Sequence, residues 1–386
     1  MIFKERAKCL QKDKEGIEEC LKCERTSSYK IKEGTVFPED RGIYMNHIII
    51  SKTPFRISFA GGGTDLPAYY TKSSKGGSVI SSAIDKFFYI AIKKSYDQYF
   101  RVKYNQIEKV EDITHIKHDL VRECLIKTNI IKPVEIVMFS DIPSSGSGLG
   151  SSSSVTVGLL NAMYAYKASR GESELEHDHA QVQYPKQLAE EACEVEIDIL
   201  GKTIGKQDQY IAAYGGMQEI TFNRDNTVDV VKFGFLNSAT ETFFKRSSML
   251  FDLGGSRKSE EILKKVVDTI SYKTELFDRL LALKEDIKYS MQNGYFDKFA
   301  GELDNSWEIK RNTNELVTND EIDGIYKQAR FAGAMGGKLC GAGGGGHLFL
   351  ICYPEKQKQV REVMSGMGLR EVVFRLYEGG SGIYVI

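Results

Sequence analysis

With 386 residues, 41% of them hydrophobic and 27% charged, the chain has enough apolar mass for a substantial core, and its length fits two domains. A formal net charge of -1 excludes a global electrostatic pull towards nucleic acid or anionic membrane, so any phosphate affinity must be local. No apolar run reaches the ~18 residues that span a bilayer, and the charged N-terminus lacks a signal-peptide core, which predicts a cytoplasmic protein.

Residues 1–44 are rich in Lys and Glu, with a weak helical pattern near 17–21, and are expected to be a peripheral, poorly ordered extension. The seven cysteines form no regular framework, and their odd number favours reduced thiols. Cys20 and Cys23 stand close together without further ligands nearby to complete a metal site.

The first convincing strand is 48–50, directly after Met45, and a functional module is expected to begin there. A second strand, 55–59, runs into a glycine turn within Pro-Phe-Arg-Ile-Ser-Phe-Ala-Gly-Gly-Gly-Thr-Asp-Leu-Pro at 54–67. Arg56 can stabilise phosphoryl charge or form a structural ion pair. Asp65 can accept hydrogen bonds from a polyol or cap its own turn.

Strands are predicted at 87–93, 101–104 and Val134–Ser140, the last leading into Pro-Ser-Ser-Gly-Ser-Gly-Leu-Gly-Ser-Ser-Ser-Ser at 143–154. Glycines there let main-chain N–H groups turn inward, and a helix starting at Ser151 adds its positive end, an arrangement that suits a polyphosphate. Without such flanks a Gly/Ser run is a linker, and without a Gly-Lys-Ser/Thr ending this is not the common P-loop.

A helix at 186–200 carries the carboxylates Glu190, Glu191, Glu194, Glu196 and Asp198, either a solvated face or a source of a metal ligand. Gly-Lys-Thr-Ile-Gly-Lys-Gln-Asp-Gln-Tyr follows at 201–210. Then come a hairpin of Met217–Phe222 and 227–231 around a 223–226 turn, a strand at 249–253, and helices at 260–269, 274–292, 296–313 and 321–331. A second glycine run, Gly-Ala-Gly-Gly-Gly-Gly at 341–346, precedes an apolar strand at 347–353, which points to close backbone packing and a structural His347. A helix at 354–364 and strands at 371–376 and Gly382–Val385 end the chain. The mixed order of strands and helices argues for α+β domains.

Taken together, the arginine strand with its Gly-Gly-Gly-Thr-Asp turn, the 143–154 loop, Gly-Lys-Gln-Asp-Gln-Tyr and the second glycine run resemble the GHMP kinase superfamily over residues 48–386. Within it, Ala-Gly-Gly-Gly-Thr-Asp-Leu-Pro and Ile-Gly-Lys-Gln-Asp-Gln-Tyr look most like D-glycero-D-manno-heptose 7-phosphate kinases, with fucokinases as near relatives. Galactokinases carry Glu-His where this chain has Gly62 and Gly63, which argues against galactose.

The resemblance implies a two-domain fold, a ribosomal-protein-S5-like domain at 45–235 and a ferredoxin-like α/β sandwich at 236–386. It also implies an ATP- and Mg2+-dependent transfer of a phosphoryl group to an anomeric sugar hydroxyl. The expected acceptor is heptose 7-phosphate, giving the 1,7-bisphosphate. A fucokinase-like or other small-alcohol kinase is the alternative, and a non-catalytic ligand sensor is the alternative of another class.

Carried over, Asp208 accepts or orients the acceptor's proton and Arg56 stands beside it. Ser145, Gly146, Ser147, Gly148, Leu149, Gly150, Ser151, Ser152 and Ser153 cradle the nucleotide. Gly62, Gly63, Thr64, Asp65, Gly343 and Gly344 meet the substrate. Ser152 and Glu196 hold the metal, with Glu194 as the competing register. Lys72, Lys75, Lys310, Arg311 and Lys338 are candidates for a substrate phosphate. The partner is a sugar or sugar phosphate, with no nucleic acid or membrane, and a homodimer is admitted.

Overall fold

The computed structural model describes residues 47–143, 146–171, 180–254 and 259–386, with the side chains of 180–183 left aside. The expectations for residues 1–44, for Cys20 and Cys23, and for Ser145 fall outside this range.

The first sheet is built on two long antiparallel strands, β1 (Ile49–Ala60) and β2 (Gly77–Lys94). Between them a short helix, α1 (Pro67–Tyr70), starts on a proline, whose fixed φ suits a first helical turn. Strands β3 (Phe100–Lys103), β4 (Ile107–Val110) and β5 (Val134–Ser140) extend the sheet beyond β2, with helix α2 (Asp119–Lys127) inserted before β5. Helix α3 (Ser151–Ser169) then crosses the sheet.

Helix α3 is apolar almost all round because it is buried between the sheet and helices α4 (Ala180–Cys193) and α5 (Gln207–Tyr214). Its approach to β1 is close. A Cβ on Gly158 would stand 2.8 Å from Thr53 Oγ1, and Ser51 Oγ donates to the Gly158 carbonyl at 2.8 Å. Strands β6 (Met217–Phe222) and β7 (Val228–Lys232) form the expected hairpin, with Asn226 at φ 70° in its turn.

After helix α6 (Ser238–Ser247), strand β8 (Ser248–Asp252) opens a second, antiparallel sheet. It includes β9 (Gly336–Leu339), β10 (His347–Ile351) and β11 (Arg370–Glu371), in the order β11-β8-β10-β9. Helices α7 (Ser259–Ile270), α8 (Thr274–Asn293), α9 (Phe296–Arg311), α10 (Asp320–Phe331) and α11 (Gln357–Gly366) complete this half. The chain then returns to the first sheet, where β12 (Gly382–Val385) pairs antiparallel with β1.

The two sheets share one core. Phe59 of β1 makes edge contacts with Phe244 of α6 at 5.5 Å and with Phe349 of β10 at 5.4 Å between ring centroids. The expected α+β architecture is therefore the one observed. The strand expected at 371–376 is paired with β8 at its start and by a single bridge from Leu376 to Ile84 at its end, because the chain crosses between the sheets along it.

Candidate active site

A cleft partly open to solvent lies where β1, the start of α3 and the second sheet's helices meet. Its best-defined feature is an ion pair. Arg56 donates from Nε to Asp208 Oδ1 and from Nη2 to Asp208 Oδ2, each at 2.6 Å, a two-pronged geometry matched to a carboxylate. Nη1 donates to the Gly148 carbonyl at 2.6 Å, so one guanidinium ties the acidic residue to the glycine loop. The Arg56 N–H also donates to the Leu149 carbonyl at 2.9 Å, which fixes that loop to β1.

The loop ends at Gly150, whose φ of 81° is left-handed backbone that glycine adopts without strain. No side chain caps the helix there. The first intrahelical bond is Ser154 N–H to Gly150 O, so the N–H groups of Ser151, Ser152 and Ser153 precede it and face the helix mouth. A helix of this length concentrates partial positive charge at that end, which favours an anion.

Asp65 stands in the same cleft. Its Oδ1 accepts from Gly63 N at 3.0 Å and its Oδ2 from Gln207 N at 3.4 Å, stitching the glycine turn to the start of α5. Burial raises its pKa and the charge of Asp208 raises it further, while the backbone donors pull the other way. Gly205 makes this contact feasible, since a Cβ there would lie 1.9 Å from Asp65 Oδ2.

Ser152 donates to Glu196 Oε1 at 2.6 Å, and Gln209 Nε2 donates to Glu196 Oε2 at 2.8 Å. Glu196 is fully buried; burial raises its pKa, opposed by Lys202 and by these hydrogen bonds. The chain around it departs from the straight helix expected at 186–200. After α4 it widens into a π-helical turn over Glu194–Ile199, a local irregularity found often at functional sites. Glu194 turns outward and pairs with Lys127 at 2.7 Å.

A hard cation such as Mg2+ takes oxygen ligands, commonly one or two carboxylates completed by substrate phosphates and water. The Ser152 hydroxyl and the buried Glu196 carboxylate, at the helix mouth and with neutral donors and a more distant Lys202 on Glu196, fit that chemistry.

The other expected site residues divide. Gly62, Gly63, Gly146, Ser147, Gly148, Gly150, Ser151, Ser152 and Ser153 line the cleft. Thr64 is buried and donates to the Gly61 and Ser78 carbonyls, and Leu149 is buried in the core. Gly343 and Gly344 lie against Val317, with the Gly344 N–H donating to its carbonyl at 2.8 Å; at that loop the cleft wall is Gly341 and Ala342.

The glycine-rich segments pack backbone to backbone. A Cβ on Gly341 would meet Gly148 Cα at 2.6 Å, and one on Gly346 would meet the Ser147 carbonyl at 2.6 Å. His347 supports this seam, with Nδ1 2.7 Å from the Ser147 carbonyl oxygen. Of the five basic candidates, only Lys310 and Lys338 line the cleft; Lys72 and Lys75 line a separate pocket, and Arg311 pairs with Glu308 and Asp323. Sequence reasoning passed over Ser58, Gly205 and Gln209. Ser58 alone had a signal, its position two residues along the same strand face as Arg56.

Residues 115–216 match the model of the GHMP kinase N-terminal domain, and residues 288–368 match that of the GHMP kinase C-terminal domain. The chain is 30% identical to D-glycero-alpha-D-manno-heptose 7-phosphate kinase of Campylobacter jejuni, over 80% of this chain and 91% of that protein. The chain belongs to the GHMP kinases. Kinases of this family are ATP-dependent phosphotransferases with an alcohol acceptor.

A second relative of this GHMP kinase is the L-fucokinase/L-fucose-1-P guanylyltransferase of Bacteroides fragilis, 22% identical over 84% of this chain and 36% of that longer protein. The fold is that of a D-glycero-D-manno-heptose 1-phosphate kinase structure from Bacteroides thetaiotaomicron. That match has a TM-score of 0.70 and 22% identity and covers 88% of this chain and 99% of the other. Among the described residues no helix is long and apolar enough to cross a membrane.

Proposed function

We propose that this GHMP kinase transfers the γ-phosphoryl group of ATP to the anomeric hydroxyl of a sugar, with D-glycero-D-manno-heptose 7-phosphate as acceptor and the 1,7-bisphosphate as product. The observation that carries the reading is the Arg56–Asp208 pair at the mouth of α3, in one cleft with Asp65. The similarity to the Campylobacter jejuni enzyme supplies the choice of sugar.

In this mechanism the loop amides and the helix end receive the triphosphate. Asp208 accepts the hydrogen bond of the attacking hydroxyl and takes its proton as the new O–P bond forms and the bond from the γ-phosphorus to the bridging oxygen breaks, with ADP leaving. Arg56 holds Asp208 in place with two of its N–H groups and has two N–H groups left for the equatorial oxygens of the transferring phosphoryl. Asp65 offers acceptor oxygens to the sugar's other hydroxyls. Ser152 and Glu196 would hold Mg2+, which supplies charge neutralisation of the phosphates when bound. Positioning and electrostatics dominate because the transition state of phosphoryl transfer is loose. The division at 45–235 and 236–386, with β12 completing the first sheet, and a cytoplasmic location belong to the same proposal.

The test measures ATP consumption with heptose 7-phosphate, L-fucose, D-galactose and mevalonate as separate acceptors, and identifies the product by phosphorus NMR. Turnover with heptose 7-phosphate and a new phosphorus–carbon coupling at C1 are expected. Strong turnover only with an unphosphorylated sugar or with mevalonate overturns the assignment.

A further inference from the structure

Three polar groups in the cleft have no role in the chemistry above. Lys338, on β9, is 3% exposed, and among the described residues its Nζ donates only to the Phe59 carbonyl, at 3.3 Å. Lys310, near the end of α9, donates to the Gly341 carbonyl. Neither belongs to any ion pair among the described residues. Ser58, on β1, is 5% exposed, and its hydroxyl has no hydrogen-bond partner among the described residues. All three line the cleft that holds Arg56, Asp65 and Asp208.

A buried ammonium is ordinarily matched by a carboxylate, because leaving charge unpaired away from water is costly. Here two lysines share one apolar-walled cleft, and each has a single carbonyl acceptor for three N–H donors. A buried hydroxyl without a partner adds a further unused donor beside them. The donors of this arrangement suit a compact anion with several acceptor oxygens.

We propose that Lys310, Lys338 and Ser58 form a seat for a phosphate group carried by the acceptor itself, so that this kinase selects an already phosphorylated alcohol. The inference rests on the reading of the cleft as the acceptor site, and it assigns the residues that choose a sugar phosphate over a free sugar. The nucleotide's phosphates have a separate receiver in the uncapped mouth of α3. Lys338 is fastened to β1 at Phe59, just ahead of the glycine turn that carries Asp65, which places it on the acceptor side.

The charge balance agrees with the geometry. Burial and the neighbouring charge of Lys310 push Lys338 down to about 7, and burial, aided by Arg56, pushes Lys310 down to about 8. Arg56, Asp65, Asp208 and Cys340 also face this pair, and the two carboxylates only partly offset its cost. An incoming phosphate dianion favours the protonated form of both lysines, so its binding near neutral pH takes up protons.

The experiment compares kcat/KM for heptose 7-phosphate and for the same heptose without phosphate, in the wild type, Lys338→Met, Lys310→Met and Lys338→Arg. Calorimetric binding of each sugar, in buffers of different ionisation enthalpy, is measured alongside. Each methionine variant is expected to reduce the preference for the phosphorylated sugar at least ~10-fold, the scale of a lost charge-assisted hydrogen bond, while the KM for ATP stays near the wild-type value. Lys338→Arg is expected to keep most of the preference, and wild-type binding of the sugar phosphate to take up protons.

An unchanged preference in both methionine variants overturns the seat and leaves the kinase assignment standing. A rise in the KM for ATP that matches the loss on both sugars also overturns it, since the lysines would then serve the nucleotide. If the wild type binds the sugar phosphate with proton uptake but does not phosphorylate it, the seat stands and the proposed reaction fails. If it does neither, both fail.

Discussion

Arg56 and Asp208 are 152 positions apart in sequence, yet the pair is the most constrained feature of the cleft. Asp208 has 22% of its side chain exposed, which leaves its oxygens reachable by an acceptor hydroxyl, whereas Arg56 at 5% is a buried brace. Replacing Asp208 with asparagine keeps the shape but turns an acceptor into a donor facing the Arg56 N–H groups. Turnover is therefore expected to fall by about two to four orders of magnitude, the scale for losing a positioned acid–base group. ATP binding to the loop, followed by calorimetry, is expected to persist in Asp208→Asn. Turnover close to wild type would remove Asp208 from the mechanism. Both residues were legible in the sequence because each sits in a short motif whose neighbours announce it. Lys310 and Lys338 were legible only as two of five basic candidates and Ser58 was passed over, since β1, α9 and β9 converge only through tertiary packing and no local pattern marks which lysines enter the cleft.

At the level of elements, the glycine-rich segments act as one seam. Gly148 and Gly341 each have left-handed φ, 70° and 67°, and their backbones approach so closely that neither tolerates a Cβ. Gly341→Ala places a methyl group against the Gly148 backbone and forces a non-glycine residue into that region, at a cost of about 1–3 kcal/mol. The expected result is a lower Tm together with a raised KM for ATP, because the displaced partner is the nucleotide loop itself. A lower Tm without any change in the KM for ATP would show that the seam does not shape the loop. The close packing of this second run was readable from its position before a strand. Strand β9 was not, because the Gly336–Gly337 pair carries no strand signal. Their backbone is extended since α9 and β10 pass too close for side chains, with Cβ positions 2.0 Å from the Ala300 carbonyl and 2.2 Å from the Phe349 carbonyl. Helix α6 was missed although it carries a start signal, the Asn237 side chain accepting from Thr240 N at 2.8 Å. The π-helical turn over Glu194–Ile199 was also invisible, because the carboxylates recur at spacings that a plain helix accommodates.

At the level of the whole molecule, the end of the chain holds the two elements that bear the Arg56–Asp208 pair. Residues 375–381 run beside β2 and the end of α5, where a Cβ on Gly380 would meet the Ala213 carbonyl at 1.9 Å and one on Gly215 would meet the Gly379 carbonyl at 1.9 Å. Ser381 Oγ then lies 2.7 Å from Thr53 Oγ1 and accepts from Asn161 Nδ2 at 2.9 Å, joining β1 to α3. Strand β12 covers the outer edge of β1 from Ile49 to Lys52, and Ile48 and Ile386 exchange backbone hydrogen bonds of 3.0 Å each way. Deleting residues 382–386 uncovers that edge. An unpaired edge of alternating N–H and C=O groups is a template for another strand, and the ladder bonds lost along it each contribute about 0.5–1.5 kcal/mol. The truncated protein is expected to melt at a lower temperature and, in size-exclusion chromatography, to shift towards larger species as its concentration rises. An unchanged Tm with an unchanged elution volume would mean that β12 only decorates the first sheet. Since β1 sets both Arg56 and the loop carbonyl that its N–H holds, the same truncation is expected to lower kcat even in the fraction that remains folded and single.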